Sequence, residues 1–149
     1  MSVAVQTPSR PAESLADYRL AEVRAQLFFS DRGTFSENLI GRKDLALWNT
    51  VIGGGDAGGA SQSMLVIVAV SGQPGSYDGK RQVELRARDA RREVFRRRQP
   101  LSVLNKEGGG YIAFWLYDIG CSPLTLTAVI TGQNGGARKA ESIPFRCGE

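Results

Sequence analysis

Residues 64–70 read Met-Leu-Val-Ile-Val-Ala-Val, and this uninterrupted apolar run decides the fold class. Its length suits one strand and is too short for a membrane-spanning helix. A continuous run rich in Val and Ile is typical of a strand that is covered on both faces. Turn residues follow at once, with Pro74, Gly75 and Gly79 inside the stretch 73–79. The run is therefore predicted to be a buried strand that ends in a turn.

Two interpretations are open for the segment upstream, residues 21–27. Its apolar and polar side chains alternate, as in a half-buried strand, but Leu20, Val23 and Leu27 also fit the stripe of an amphipathic helix. Two phenylalanines come next, and residues 30–33 supply a turn. These neighbours favour the strand.

Several other short segments carry strand signals, and turn residues separate most of them. They are residues 45–52, 82–88, 93–98 (ended by Pro100), 101–104, 111–117, 124–131 and 140–147. With no internal repeat, this pattern predicts an all-β fold, a two-layer antiparallel β-sandwich, immunoglobulin-like or similar, of about eight to nine strands. We expect residues 1–18 to be a flexible N-terminal tail and residues 19–149 to be a single domain.

The chain has two cysteines, Cys121 and Cys147, and they lie at equal distances from Asn134. Asn134 begins an Asn-Gly-Gly hairpin turn signal, so an antiparallel hairpin centred there would bring the two thiols together. This symmetry favours a structural disulfide, and two buried free thiols are the alternative. The symmetric register would turn the apolar row that begins at Leu124 away from the cysteines, so we predict a β-bulge near Pro123 or Pro144.

The strongest charge bias lies between Lys80 and Arg98. Nine basic and three acidic residues give this segment +6, so the rest of the chain carries −2 of the net +4. Guanidinium groups bind phosphate, sulfate and carboxylate groups bidentately, which makes the segment a candidate polyanion-binding hairpin. The candidate anion-binding residues are Arg86, Arg88, Arg91, Arg92, Arg96, Arg97 and Arg98.

Two other interpretations of the basic segment remain. The charges can protect a solvated sheet edge against aggregation, or they can meet a protein partner with an acidic face. Nucleic acid is disfavoured, because base stacking needs exposed rings. Phe95 is the one aromatic residue in the segment, and we expect it to pack inward together with Val94.

Aromatic residues mark the segment 111–117. Tyr111, Trp115 and Tyr117 alternate with apolar partners, so one row is expected to face the core. The other row would then be exposed and could contact a sugar or a protein. If the strand is central in its sheet, both rows are instead covered.

The composition disfavours most enzyme classes. The chain has no histidine, which removes the Ser-His-Asp arrangement and the usual zinc sites. The glycine-rich stretch 53–59 lacks the Gly-Lys-Ser/Thr ending of a phosphate-binding loop. Two alternatives depend on carboxylates: a glycosidase-like pair, or a calcium site in the loops. The residues considered for calcium are Asp31, Asp56, Asp78 and Asp118.

These observations favour a non-catalytic binding or interaction module of unknown ligand that needs no cofactor. Its partner would be a protein or a polyanion; the carboxylate-based hydrolase and the calcium-dependent module remain alternatives. No run of 18 apolar residues occurs, so no membrane span is expected. The first 20 residues lack the apolar region of a signal peptide. The protein is expected to be periplasmic or secreted if a signal peptide has been removed, and cytoplasmic otherwise.

Overall fold

The structure is a computed structural model. The part of the chain that it describes contains eight strands and no helix. The described residues are 17–42, 61, 63–119, 122–133 and 138–145. The strands are β1 (Arg19–Phe29), β2 (Thr34–Phe35), β3 (Ser63–Ser71), β4 (Gln82–Arg88), β5 (Glu93–Pro100), β6 (Gly109–Tyr117), β7 (Leu124–Ile130) and β8 (Arg138–Ile143). They form two four-stranded antiparallel sheets that pack face to face, with the orders β2-β1-β3-β6 and β5-β4-β7-β8. The predicted all-β antiparallel sandwich is confirmed.

Strand β3 lies in the interior of the first sheet, between β1 and β6. Val66 pairs with Ala25 on one side and with Phe114 on the other, and all three side chains are buried between the sheets. Leu65 and Ile67 point to the opposite face and are half-buried. The uninterrupted apolar run therefore reflects a strand with neighbours on both edges and partial cover on its outer face.

Strand β4 has the equivalent interior position in the second sheet. Val83, Leu85 and Ala87 alternate into the core, as their spacing predicts. The neighbours of β4 are β5 and β7, and β5 and β8 form the two edges of this sheet within the described residues. The hairpin β4–β5 therefore places the basic segment at a sheet edge.

Two expectations about the end of β5 are wrong. The strand continues to Pro100, which pairs with Gln82, because an edge strand tolerates a residue without an N–H donor. Residues 101–104 form no strand. The Leu104 N–H instead donates to the carbonyl of Ser76, and the side chains of Leu101 and Leu104 are buried beneath the loop.

The β7–β8 hairpin has a register one residue away from the symmetric one. Leu124, rather than Thr125, lies opposite Ile143, and this register buries both apolar side chains. Beyond Ile143 the Phe145 N–H donates to the Ile143 carbonyl at 2.9 Å, which forms a γ-turn around Pro144. The regular β7–β8 ladder ends at Ile143 within the described residues, and the β-bulge near Pro123 or Pro144 stays a prediction.

Several sequence predictions lie outside the described residues: the strand at 45–52, the glycine-rich stretch 53–59, the turn at 134–136, Cys121 and Cys147, and residues 1–16 of the expected tail. Tyr18, at the end of that tail, is buried in the core. The side chain of Gln133 accepts from the Tyr18 N–H and donates to its carbonyl. No helix in the described part of the chain is long and apolar enough to cross a membrane.

Candidate anion-binding face

The outer face of the second sheet, which points away from the first sheet, carries a group of arginines. Arg86 lies opposite Arg96 on the neighbouring strand, and Arg88 is two residues further along β4. One cross-strand row runs through Arg98, Glu84, Val129 and Arg138, so that β8 contributes an arginine to the same face. We name this surface the arginine face; it consists of Arg86, Arg88, Arg96, Arg98 and Arg138.

Glu84 lies at the centre of the arginine face. Its position in the strand turns it outward, yet it is only 2% exposed. The guanidinium groups of Arg86 and Arg98 cover it: Arg98 Nε donates to Oε2 at 2.7 Å, and Arg86 Nε donates to Oε1. One carboxylate thus binds two guanidinium groups, one at each oxygen.

The electrostatics of this triad keep Glu84 ionised. The hydrogen bond from Arg98 lowers the pKa of Glu84 below its ordinary value of 4.5, and the hydrogen bond from Arg86 adds to the effect. Burial acts in the opposite direction but is the weaker influence overall. The two arginines remain accessible, with side chains 43% and 57% exposed. The triad therefore carries a net charge of about +1 that solvent and ligands can reach.

The other basic residues of the hairpin differ in their partners. Arg96 Nε is 3.1 Å from a Glu93 carboxylate oxygen, an exposed pair of the kind that contributes little to stability. At the tip of the hairpin, the Asp89 side chain accepts the backbone N–H groups of Arg91 and Arg92. Within the described residues the side chains of Arg88, Arg91, Arg92 and Arg97 form no ion pair. The hairpin therefore retains basic groups that an external anion could bind.

The structure separates the seven arginines that the sequence groups together. Arg86, Arg88, Arg96 and Arg98 share the arginine face, whereas Arg91 and Arg92 lie at the tip of the hairpin. Arg97 pairs with Leu85, whose side chain is in the core, so it points to the opposite side of the edge strand, where it remains exposed. The charged run in the sequence does not reveal this distinction, because it depends on the pairing of β4 with β5.

Two contributions to the face are absent from the sequence prediction. Arg138 belongs to β8, which begins two residues before the predicted start of that strand. Period-two alternation places Glu84 on the solvent-facing side of β4 together with Arg86, but does not indicate that it is buried. Its burial depends on Arg98 from the next strand, and only the register reveals that contact.

A second surface lies on the outer face of the first sheet. Phe28, Phe35, Trp115 and Tyr117 form a connected group, which we name the aromatic cluster, with ring centroids 5.3–6.1 Å apart between neighbours. Tyr117 is 68% and Phe35 is 45% exposed. Within the described residues β6 is an edge strand, so the interpretation of a central strand with both rows covered is wrong.

The remaining predicted ring lies apart from the aromatic cluster. Tyr111 is 60% exposed, and the guanidinium of Arg24 lies 5.8 Å from its ring centroid. Val94 is also exposed, contrary to expectation, because it adjoins the inward-facing Phe95 and successive side chains of a strand point to opposite faces. Phe95 is half-buried and contacts Phe114, as expected.

The carboxylates considered for calcium do not meet at one end of the sandwich. Asp78 lies 3.2 Å from Arg81, which also contacts Asp17 just before β1 begins. Asp31 and Asp118 follow the last residues of β1 and β6, at the opposite end of the first sheet. Asp56 lies outside the described residues. Among the described residues no three potential metal ligands are grouped together.

Comparison with known proteins assigns no family. No protein-family model matches the sequence, and a search of curated proteins finds no similar chain. The arginine face and the aromatic cluster are therefore the features from which a function can be inferred.

Proposed function

We propose that this protein is a non-catalytic binding module that holds polyanions on its arginine face. The observation that carries the proposal is the triad of Glu84, Arg86 and Arg98. Both arginines bind the carboxylate through Nε, and their terminal amino groups donate to no other described residue. Those amino groups are the donors that bind sulfate and phosphate oxygens.

The chemistry of the face favours a polymer without bases. No aromatic side chain of the described residues lies on the arginine face, and Phe95 packs towards Phe114 instead. The face is a β-sheet surface, and the described residues contain no helix that could enter a nucleic-acid groove. A flexible polymer that carries sulfate or phosphate groups along its length satisfies these conditions, because it needs only donors in a row.

Salt-dependent retention on immobilised heparin tests this function. Wild-type protein should be retained at low salt, and the logarithm of its affinity should fall linearly with the logarithm of the salt concentration. The double variant Arg96→Gln/Arg98→Gln should elute at clearly lower salt. Its control is Arg19→Gln/Arg97→Gln, which removes the same charge from two exposed positions off the arginine face.

Each outcome of this experiment has a definite meaning. Equal losses in the two double variants would show that net charge alone drives retention, and would overturn the assignment to the arginine face. No retention of wild-type protein would overturn polyanion binding itself. Stronger retention on immobilised duplex DNA than on heparin, at matched salt, would replace the proposed ligand class by nucleic acid.

A second candidate function is contact with a sugar or a protein through the aromatic cluster. The observation that favours it is the exposure of large rings that touch one another, because contiguous exposed apolar patches mark binding surfaces. Binding to insoluble polysaccharides such as cellulose or chitin provides a first test. Retention that Trp115→Ala abolishes and Tyr111→Ala preserves would support this surface; no retention would exclude such sugars.

We also propose an immunoglobulin-like classification and a Cys121–Cys147 disulfide. The order β1-β3-β6 supports the first, because strands A, B and E follow one another in that fold, and β5-β4-β7-β8 parallels C′, C, F and G. The β7–β8 hairpin supports the second, since Cys121 comes shortly before Leu124 in the sequence and Cys147 shortly after Ile143, and those two residues are paired. With Leu124 opposite Ile143, the pairing needs one additional residue on one strand, as a β-bulge provides.

A further inference from the structure

We infer that Glu84 is a positioning residue that organises Arg86 and Arg98 into a site for one sulfate or phosphate group of the bound polymer. This inference rests on the proposed function and assigns a specific role within it. An acidic residue would thereby promote the binding of an anion, which is the reverse of its effect through charge alone.

The register places the two arginines where one oxyanion can reach both. Arg98 lies directly opposite Glu84, and Arg86 follows Glu84 by two residues on the same face. Their Cβ atoms are therefore diagonal neighbours, at a spacing that long side chains can span. Both Nε atoms donate to the same carboxylate. The distance between the two guanidinium groups is therefore limited to the width of that carboxylate plus one hydrogen bond on each side.

The carboxylate also reduces the charge repulsion that opposes this arrangement of arginines. Arg86 faces Arg96 directly across the β4–β5 pair, and like charges in that position repel each other. Glu84 offsets this repulsion in the free protein through its ion pair with Arg86. The guanidinium groups can therefore stay together before any ligand arrives.

Preorganisation is the physical reason for the effect on affinity. An unrestrained arginine loses rotamer freedom when it binds an anion, and that loss weakens binding. In this structure the Nε hydrogen bonds already fix the orientation of both side chains while the remaining donors stay accessible. The entropic cost of ordering the two arginine side chains therefore arises when the protein folds rather than when it binds the polyanion.

The test is whether the affinity for polyanions rises or falls when Glu84 is replaced by Gln. The variant Glu84→Gln raises the net charge by one, so a purely electrostatic surface would bind polyanions more tightly. Loss of the positioning carboxylate should instead weaken binding by about fivefold to tenfold, in line with the cost of immobilising long side chains. It should also reduce the salt slope, because fewer oxyanions of the polymer are engaged.

The matched control is Glu93→Gln, which changes the charge by the same amount in the same hairpin. Among the described residues Glu93 forms an ion pair only with Arg96, and it is exposed, so this variant should bind at least as tightly as wild type. Calorimetric titrations with a heparin oligosaccharide and with inorganic polyphosphate, each at several salt concentrations, measure the effect. The two probes distinguish a preference for sulfate from one for phosphate.

A second pair of variants keeps the test decisive if Glu84→Gln lowers stability. Arg98→Lys retains the charge but loses the Nε donor, and should weaken binding as Glu84→Gln does. Arg97→Lys, on the other side of the strand, should leave affinity unchanged. If wild type binds and Glu84→Gln binds equally or better, the positioning role is overturned while polyanion binding stands. If wild type binds neither probe, the proposed function itself fails.

Discussion

Glu84 shows how one residue can be both nearly inaccessible and charged. A carboxylate that is 2% exposed remains ionised here because two guanidinium groups replace its water. Replacement of Glu84 by a neutral residue leaves the two guanidinium groups close together without the carboxylate between them, and neighbouring like charges destabilise a sheet. The same residue is therefore expected to affect both folding and binding.

The stability of the protein should depend on Glu84 in a defined pH range. The pKa of Glu84 is lowered in the folded state, so its stabilising effect is present above the unfolded-state value near 4.5. This effect is lost as the pH falls through the lower folded-state pKa. The difference in melting temperature between wild type and Glu84→Gln should thus be largest near neutral pH and shrink below pH 4.5. A difference that stays constant from pH 7 to pH 3 would contradict it.

A single core residue provides a measure of packing. Leu126 in β7 is fully buried between the sheets, so Leu126→Ala removes apolar contacts and leaves a cavity. We expect a loss of about 2–5 kcal/mol in the free energy of unfolding, measured by urea denaturation. The control Val103→Ala, at a position that is 61% exposed, should change stability by less than about 0.5 kcal/mol. Similar costs for the two variants would argue against this core.

At the scale of elements, turns decide how the strands are joined. The β4–β5 turn is held by the Asp89 side chain, whose pKa is lowered mainly by the Arg91 backbone N–H and also by that of Arg92. The loop that leads into β6 is held by Asn105, whose side-chain oxygen accepts the N–H groups of Glu107 and Gly109. In both turns a short polar side chain replaces backbone hydrogen-bond partners.

The Asp89 turn can be tested by hydrogen exchange. Asp89→Ala removes the acceptor, so the amides of Arg91 and Arg92 should exchange faster with solvent. Asp89→Asn keeps a side-chain oxygen and should restore most of the protection. NMR-detected exchange at these two amides is the measurement. If both variants retain wild-type protection, the side chain does not hold the turn.

Substitution of two glycines with positive φ distinguishes the energetic cost of backbone strain from that of steric overlap. Gly75 has φ +68° and open space where a Cβ would lie, so Gly75→Ala should cost about 1–2 kcal/mol. Gly108 has φ +83°, and an added Cβ would meet the carbonyl oxygen of Gly72. Gly108→Ala should therefore cost about 1–3 kcal/mol more than Gly75→Ala, as measured by urea unfolding. Equal costs would show that the backbone at Gly72 can move aside.

Sequence patterns predict strands where periodicity is strong and local. Residues 64–70 and 82–88 are examples, because burial on a pleated strand directly determines the residue pattern. The apolar pair Leu101 and Leu104 gave a false strand, since a short apolar segment can be buried without entering a ladder. The exposure of Tyr117 could not be predicted either, because it depends on what covers the outer face of the first sheet, which the local pattern does not show.

The candidate site was predictable in composition but not in arrangement. The basic run indicated an anion-binding hairpin, and alternation along β4 indicated which of its residues face water. The position of Arg97 on the other side, the addition of Arg138 and the burial of Glu84 all follow from strand pairing. Pairing joins residues far apart in sequence, so local patterns do not determine it.

For the whole molecule, the proposed disulfide makes a measurable prediction. It would close a loop from Cys121 to Cys147, and loop-closure entropy gives it a contribution of about 3 kcal/mol. Reduction should increase the intact mass by two hydrogens and lower the melting temperature. The variant Cys121→Ser/Cys147→Ser should match the reduced protein and be insensitive to reductant. An unchanged mass after reduction would identify two free thiols instead.

The two sheets give the molecule different outer faces, with guanidinium groups on one and the aromatic cluster on the other. A copy of the protein that binds a charged filament through its arginine face would therefore expose its aromatic cluster to the surroundings. The coated filament would then expose apolar surface. Neighbouring coated filaments would tend to bundle, because these apolar surfaces associate in water. Turbidity that increases with protein loading, and decreases when Phe35 and Trp115 are replaced by Ser, would reveal this two-sidedness.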